Sequence, residues 1–437
     1  MLDIVLPLIY TLLFGYVILK SSFFKNSPIP TSVFLLVFVL KIGAGTFLYW
    51  IYTYYYSERD TADIFKYFDD SYYMTQALWD KPGDFFRMLF GYQNNSEYFS
   101  EQYYDKMNHW FRVYESSMYN DSHAIIRFNA VVRLFSFGNY HVHTVFMCFV
   151  SLMGLTALYK SICHKVRHPK LAFVAIFLLP STLLWGSGVL KEGLMFFGLG
   201  FIIYSLVKLN TKGEKKLIYW FTFIFALMFL LFQVKFYVLA AFSTGILAYT
   251  LTEQTSYRLT SVKYLISATI IIALGLNFHY FAPEFNVLDL IVTKQKDFIG
   301  LVAHEQSGSR FELTPLTPDF WSLFKTIPEA LTNSLFRPYP WDVSSFFMLI
   351  ATLENILVVL FLLLSAFYLK PIPGNRTNLA LLFFSSSIIL LLIVGWTTPV
   401  AGALIRYKIP GTIALLISVC LVTDFNRLKF RFRLRKG

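Results

Sequence analysis

TSVFLLVFVLKIGAGTFLYWIYTYY, residues 31–55, is the stretch that decides the fold. It holds a single charge, Lys41, and is longer than the about 20 mostly apolar residues a helix needs to cross a hydrocarbon core. Working outward, similar runs lie at roughly 2–19, 142–160, 171–189, 193–207, 217–233, 236–251, 264–281, 345–369, 378–396 and 407–423, eleven in all. The runs at 193–207 and 236–251 are short, which suits a tilted, broken or re-entrant segment. The chain is 56% hydrophobic and 15% charged, outside soluble composition. The expected fold class is all-α: a polytopic integral membrane protein of about eleven transmembrane helices, one transmembrane domain over 1–437.

The loops between the runs orient it. Lys20 and Lys25, then Lys160, Lys165, Arg167 and Lys170, then Lys208, Lys212, Lys215 and Lys216 fall on one side if the runs alternate. So do Arg258 and Lys263, Lys370 and Arg376, and the tail residues Arg427, Lys429, Arg431, Arg433, Arg435 and Lys436. Positive loops stay cytoplasmic, which places the amino terminus outside and the carboxyl terminus inside. The net charge of +12 then reads as anchoring against anionic membrane lipids, with no nucleic-acid partner implied. The first run has no basic leader or small-residue cleavage site and reads as retained. Cys148, Cys163 and Cys420 lie in runs or a cytoplasmic loop, so no disulfide framework is expected.

Two outer segments are too long to be turns, about 56–141 and 282–344. The first holds twelve acidic residues against eight basic ones, and Phe85, Phe86, Met88, Leu89 and Phe90 have the period of a short amphipathic helix lying in the interface. It begins with Arg59-Asp60-Thr61-Ala62-Asp63-Ile64-Phe65-Lys66-Tyr67-Phe68-Asp69-Asp70. Asp60 and Asp63 are three apart and share a helix face. A carboxylate there serves as a general base, holds a divalent cation, or simply starts a solvated helix favoured by the macrodipole. Asp69 and Asp70 are the residues that could hold a metal such as Mg2+ or Mn2+; the sequence leaves the cofactor open.

This acidic pair after an early span, followed by Asp63-x-x-x-Tyr67 and a long amphipathic outer loop, resembles the GT-C superfamily of polytopic membrane glycosyltransferases. The resemblance covers few residues, and an extra span ahead of the acidic loop departs from the commonest arrangement. It implies that Asp63, with Asp60 as second candidate, deprotonates or orients an acceptor hydroxyl. It also implies a sugar donor carried on a polyprenyl phosphate or diphosphate, and Tyr67 as a stacking residue.

A second cluster, Trp185-Gly186-Ser187-Gly188-Val189-Leu190-Lys191-Glu192-Gly193, is a tight outer turn opening the next run. Outward N–H groups at a helix start favour an anion, Ser187 adds a hydroxyl and Lys191 a full charge. The alternative is a Lys191–Glu192 snorkelling pair ending a hairpin. A cation at a helix N-terminus is unfavourable unless an anion joins it, which favours a phosphate. Lys235, Arg337 in Arg337-Pro338-Tyr339-Pro340-Trp341-Asp342, and Arg406 in Arg406-Tyr407-Lys408 are further outward cations able to hold it, or else interface anchors. Tyr339 and Trp341 would stack on a sugar or isoprenyl chain, or belong to the aromatic belt.

Lys41 and Glu354 lie within the bilayer and are expected to pair, because intramembrane charges face the bundle interior with a partner. His141 and His143, and His164 and His168, read as solvated interfacial residues more readily than as ligands. The function expected is transfer of a sugar or phosphosugar from a polyprenyl-linked donor to a saccharide or lipid acceptor on the outer face, in cell-envelope polysaccharide or glycolipid synthesis. The second reading, a polysaccharide polymerase or ligase of the Wzy/WaaL type, resembles the same picture and relies on arginine and histidine. The third is a transporter or flippase of lipid-linked sugars, against which stands the lack of paired halves and matching broken helices. A pure scaffold for a surface-polymer machine needs only the outer aromatics and belt cations.

Overall fold

A computed structural model describes residues 2–56, 58–111, 120–210, 216–282, 285–305 and 309–426. Lys212, Lys215 and the basic tail from Arg427 onward lie outside the described residues. Among those described, secondary structure is helical, with two isolated β-bridges and no strand. Nine helices among the described residues are long and apolar enough to cross a membrane. The chain is thus a multi-pass membrane protein by the length and composition of its helices.

The principal elements are α1 (Leu2–Lys20), α2 (Thr31–Trp50), α3 (Asp63–Asp80), α4 (Pro82–Phe90), α5 (Ser122–Ser136), α6 (Tyr140–Ile162), α7 (Pro169–Phe177) and α8 (Pro180–Trp185). They continue with α9 (Lys191–Leu209), α10 (Leu217–Gln254), α11 (Thr260–Asn277), α12 (Val287–Glu305), α13 (Ile327–Phe336), α14 (Phe346–Ala366), α15 (Gly374–Thr397) and α16 (Ala401–Val422). The two long segments expected outside the membrane fold as short amphipathic helices, α3 to α5 in the first and α12 and α13 in the second. Pro82 and Pro169 occupy first-turn positions, where a missing N–H costs nothing. Gly91 ends α4 in the left-handed region, with φ at 69°.

The difference between nine and eleven has two local causes. The run 171–189 does not form one helix. Pro180 lacks an N–H and disfavours helical backbone at Leu179, so the chain breaks into α7 and α8 and then runs irregularly to Leu190. The runs 217–233 and 236–251 form one hydrogen-bonded element of 38 residues, interrupted at Lys235, whose backbone is extended (φ −154°, ψ 76°). One expected span is therefore broken at Pro180, and two others meet at the kink at Lys235.

The transmembrane region groups internally into two compact units. The first takes Met1–Val113, Tyr119–Ser161 and Thr182–Phe236; the second takes Ile162–Ser181 and Tyr237–Gly437. In the first, α9 runs antiparallel to the leading half of α10: Glu192 meets Lys235 at one end, and Tyr204 meets Trp220 towards the other. Gly154 of α6 and Gly200 of α9 let two backbones touch, since a Cβ on Gly200 would lie 1.9 Å from the Gly154 carbonyl oxygen. Small residues at crossings are how apolar helices associate without a hydrophobic driving force between them. Helices α3 and α5 pack on one another through Thr75, which donates to the Ala130 carbonyl, and Arg133, which reaches Ser71 and the Phe68 carbonyl.

In the second unit, Asn378 at the start of α15 binds the Tyr249 carbonyl, Glu253 and the Tyr264 hydroxyl. That gathers the end of α10 and the starts of α11 and α15 at one end. At the opposite ends of α15 and α16, Gln295 ties α12 to the Thr314 and Trp396 carbonyls and to the Leu316 N–H. All three cysteines are buried, and no two of them are joined by a disulfide.

Candidate functional site

The acidic segment starts as a turn of 3-10 helix at Arg59–Thr61 and becomes α3 at Asp63. An acid at this first position complements the helix dipole. The face of α3 carrying Ile64, Phe65, Tyr67, Phe68, Ser71 and Met74 is buried, as its apolar period requires. Asp63 and Tyr67 are four apart and so share one side of the helix.

Tyr67 is 1% exposed, and its ring lies under the ammonium of Lys191, 5.2 Å from centroid to Nζ. Lys191 opens α9 behind Leu190, which provides no side-chain cap. Its Nζ is 2.9 Å from Asp121 Oδ1 and donates to Ser122 Oγ at 3.4 Å. The cation at a helix start has thus gained its anion, and that anion is a carboxylate from α5's entry. Glu192 does not pair with Lys191. It sits 3.4 Å from Lys235, both side chains buried. Two adjacent residues each find an opposite charge from another part of the first unit, which removes the snorkelling alternative.

His109 borders the same place, its ring 5.6 Å from that of Tyr67. The backbone beneath it is fixed by Asp70, whose two carboxylate oxygens accept the N–H groups of Asn108 and His109 at 2.8 Å each. Burial pushes the Asp70 carboxyl up to about 6 in spite of those two bonds. Asn120 closes the segment from the other side, donating to the His109 and Trp110 carbonyls. His109, Asp121 and Ser122 escape sequence reasoning because their only signal is a polar Asn-Asp-Ser helix start distant in the chain from Lys191.

Several expected site residues have other partners. Asp69 makes a two-pronged bond with Arg59, both side chains half exposed, while Asp70 is turned inward on its backbone bonds. Neighbouring positions on a helix point about 100° apart, so these carboxylates do not converge on one metal. The described residues contain no cluster of three or more acid, histidine or cysteine side chains suited to one. Asp60 is exposed and its carbonyl accepts from Asn108. Ser187 is fully buried and donates back to the Leu183 carbonyl, which leaves its hydroxyl directed away from an outward anion. Lys41 and Glu354, expected to pair with each other, lie in different units and are each satisfied inside their own. Lys41 donates to the Gly186 carbonyl at 2.9 Å, meeting the irregular backbone just past the end of α8. Glu354 accepts from both the N–H and the hydroxyl of Ser181.

The second unit holds the remaining candidates. Arg337 is paired with Asp342 at 2.9 Å, bonded to Asn333 and stacked 4.1 Å from the Phe311 centroid. Tyr339 and Trp341 stack on each other at 4.9 Å. Arg406 is half-buried in α16. Lys408, two residues on, is buried and donates to the Ser334 and Arg337 carbonyls and to Asn355. These bonds fix the turn at Arg337, a positioning role for Lys408 that its place beside Arg406 in the sequence does not reveal. The sequence-predicted residues therefore fall into two groups: Asp63, Tyr67, Lys191 and Lys235 in the first unit, and Arg337, Tyr339, Trp341 and Arg406 in the second.

Set against protein-family models, curated proteins and solved structures, the chain matches none.

Proposed function

We propose that the chain is a membrane glycosyltransferase that moves a sugar from a polyprenyl-phosphate or -diphosphate donor to a hydroxyl acceptor. The observation that carries this reading is the placement of the Lys191 ammonium, at the start of α9, over the ring of Tyr67, one helical turn from Asp63. A general base, an aromatic platform and a phosphate-seeking cation then belong to one corner of one unit. In the reaction, Asp63 takes the acceptor proton as the acceptor oxygen bonds to the anomeric carbon. The bond from that carbon to the phosphate oxygen breaks, and the lipid phosphate leaves with the electron pair. Lys191 and the N–H groups at the start of α9 stabilise the negative charge developing there. Asp121 holds the lysine in place while the site is empty.

Orientation belongs to the same proposal. Counting the broken α7–α8 segment as one crossing and α10 as two gives eleven crossings, an outer amino terminus and an outer site. The antiparallel course of α9 and the first half of α10 supports that count, as does the collection of Lys165, Arg258, Lys263, Lys370 and Arg376 around one end of the second unit. A bacterial cytoplasmic membrane is the setting it fits.

The test is turnover of a fluorescent lipid-linked sugar by purified protein in lipid nanodiscs. Asp63→Asn is expected to lower the rate by about 10²- to 10⁴-fold, the range for a lost general base. A mild loss would favour the polymerase or ligase reading. The break at Pro180 favours lipid-linked sugar transport as the second reading, because discontinuous helices line transport sites. Movement of the labelled lipid between leaflets without sugar transfer would replace the first reading by that one.

A further inference from the structure

At the end of the second unit where basic residues collect, α16 stops at Val422 and the chain turns back across the start of α7. A cleft of about 430 Å³ opens there, lined by Arg167, His168, Pro169, Lys170, Leu171 and Phe425. That volume lies within the range of small-molecule sites.

Its charge is unbalanced. Asp424 carries two cations on one oxygen, Arg167 and Lys370, and its other oxygen is 3.8 Å from His168 Nε2. Hydrogen bonding from Lys370 holds the Asp424 carboxyl down to about 2, so it stays ionised. The Nε2 of His168 also receives the Phe425 N–H. Three cations, Arg167, Lys170 and Lys370, less one carboxylate leave +2 beside the cleft. Lys170 is exposed and has no carboxylate partner among the described residues.

The opposite wall is apolar. The Phe425 ring lies 5.8 Å from Phe361 and 5.5 Å from Tyr368, and Leu171 begins the apolar face of α7. A cationic rim above an apolar wall, at the level where spans end, matches a phosphate joined to a glycerol and acyl chains. It does not match a soluble anion, which gains nothing from the apolar side.

We propose that this cleft binds the headgroup of an anionic phospholipid, with the phosphate at Lys170 and Arg167 and the glycerol–acyl portion along Leu171 and Phe425. The site is independent of the sugar-transfer reading.

The full-length protein in a zwitterionic detergent would be melted against increasing phosphatidylglycerol, phosphatidylcholine or inorganic phosphate. Phosphatidylglycerol alone is expected to raise the melting temperature at low concentration. Each surface cation contributes about fivefold in affinity for anionic lipid, so Lys170→Gln should raise the half-effective concentration about fivefold. Lys170→Glu, a change of two charges, should raise it about thirtyfold. Lys170 is exposed, so both variants should melt like the native chain without lipid. Equal stabilisation by phosphatidylcholine, or unchanged lipid dependence in both variants, overturns the proposal. Equal stabilisation by millimolar inorganic phosphate reassigns the cleft to a free anion.

Discussion

Gly45 tests how closely α2 must approach the irregular segment after α8. A Cβ at this position would stand 2.5 Å from the Ser187 carbonyl oxygen and 2.5 Å from Thr144 Cγ2. Neither obstacle is the free end of a flexible chain: one is backbone in a buried segment, the other a β-branched side chain with few rotamers. Gly45→Ala therefore has to open the contact by close to an ångström. Overpacking of this kind costs about 1–3 kcal/mol, and the rigid neighbours place the expectation near about 3 kcal/mol. The shift also draws Lys41 off the Gly186 carbonyl, since the two contacts lie one helical turn apart. Gly43 provides the control. It is exposed on the same helix, and a Cβ there meets nothing within 4 Å. Gly43→Ala should be neutral or stabilising by up to about 1 kcal/mol, from helix propensity alone. Thermal unfolding in detergent, followed by tryptophan fluorescence, compares the two. Equal melting temperatures would refute the close approach and with it the positioning of Lys41.

Three further outcomes follow from the charges. The Asp70 carboxyl has a folded-state value of about 6 against the usual 3.8, so the native state holds its proton more tightly between those values. Its stabilising contribution is present below about pH 4 and is lost as pH rises through 6, and Asp70→Asn should flatten that part of a melting-temperature profile. Asp424 has the opposite sign: its contribution is present above about pH 4 and is lost as pH falls towards 2. Lys370→Met should cost about 1–2 kcal/mol by denaturant titration and shrink the acid limb. Asp69→Asn, which cuts an exposed pair with Arg59, should cost less than about 1 kcal/mol in the same titration.

Membrane character and the positions of most spans are legible because they depend on local composition, which a sliding reading of residues such as 31–55 captures. The Asp63–Tyr67 face is legible for a similar reason, a period of four residues. What fails is anything set by one atom or by distance along the chain. The run 171–189 looks like an uninterrupted span because hydropathy does not register that Pro180 has no N–H to donate. Lys191 is recognisable as a cation at a helix start, but its partner Asp121 is 70 residues earlier. Ser187 shows the limit of a residue-type argument: its hydroxyl suits a phosphate chemically, yet a carbonyl four residues back already receives it.

Cys148, Cys163 and Cys420 are all buried, which makes the native chain a quiet background for chemistry applied from outside. Thiolates react and buried thiols do not, so a maleimide too polar to cross the bilayer should leave the unaltered protein unlabelled from either side. A single cysteine at exposed Ser96, in the segment after α4, or at exposed Ser256, between α10 and α11, would then be the sole reporter. Intact cells should label the first and spare the second. The reverse pattern would turn the molecule over in its membrane and move the Lys191 corner to the cytoplasm, where nucleotide-linked sugars rather than lipid-linked ones are the available donors.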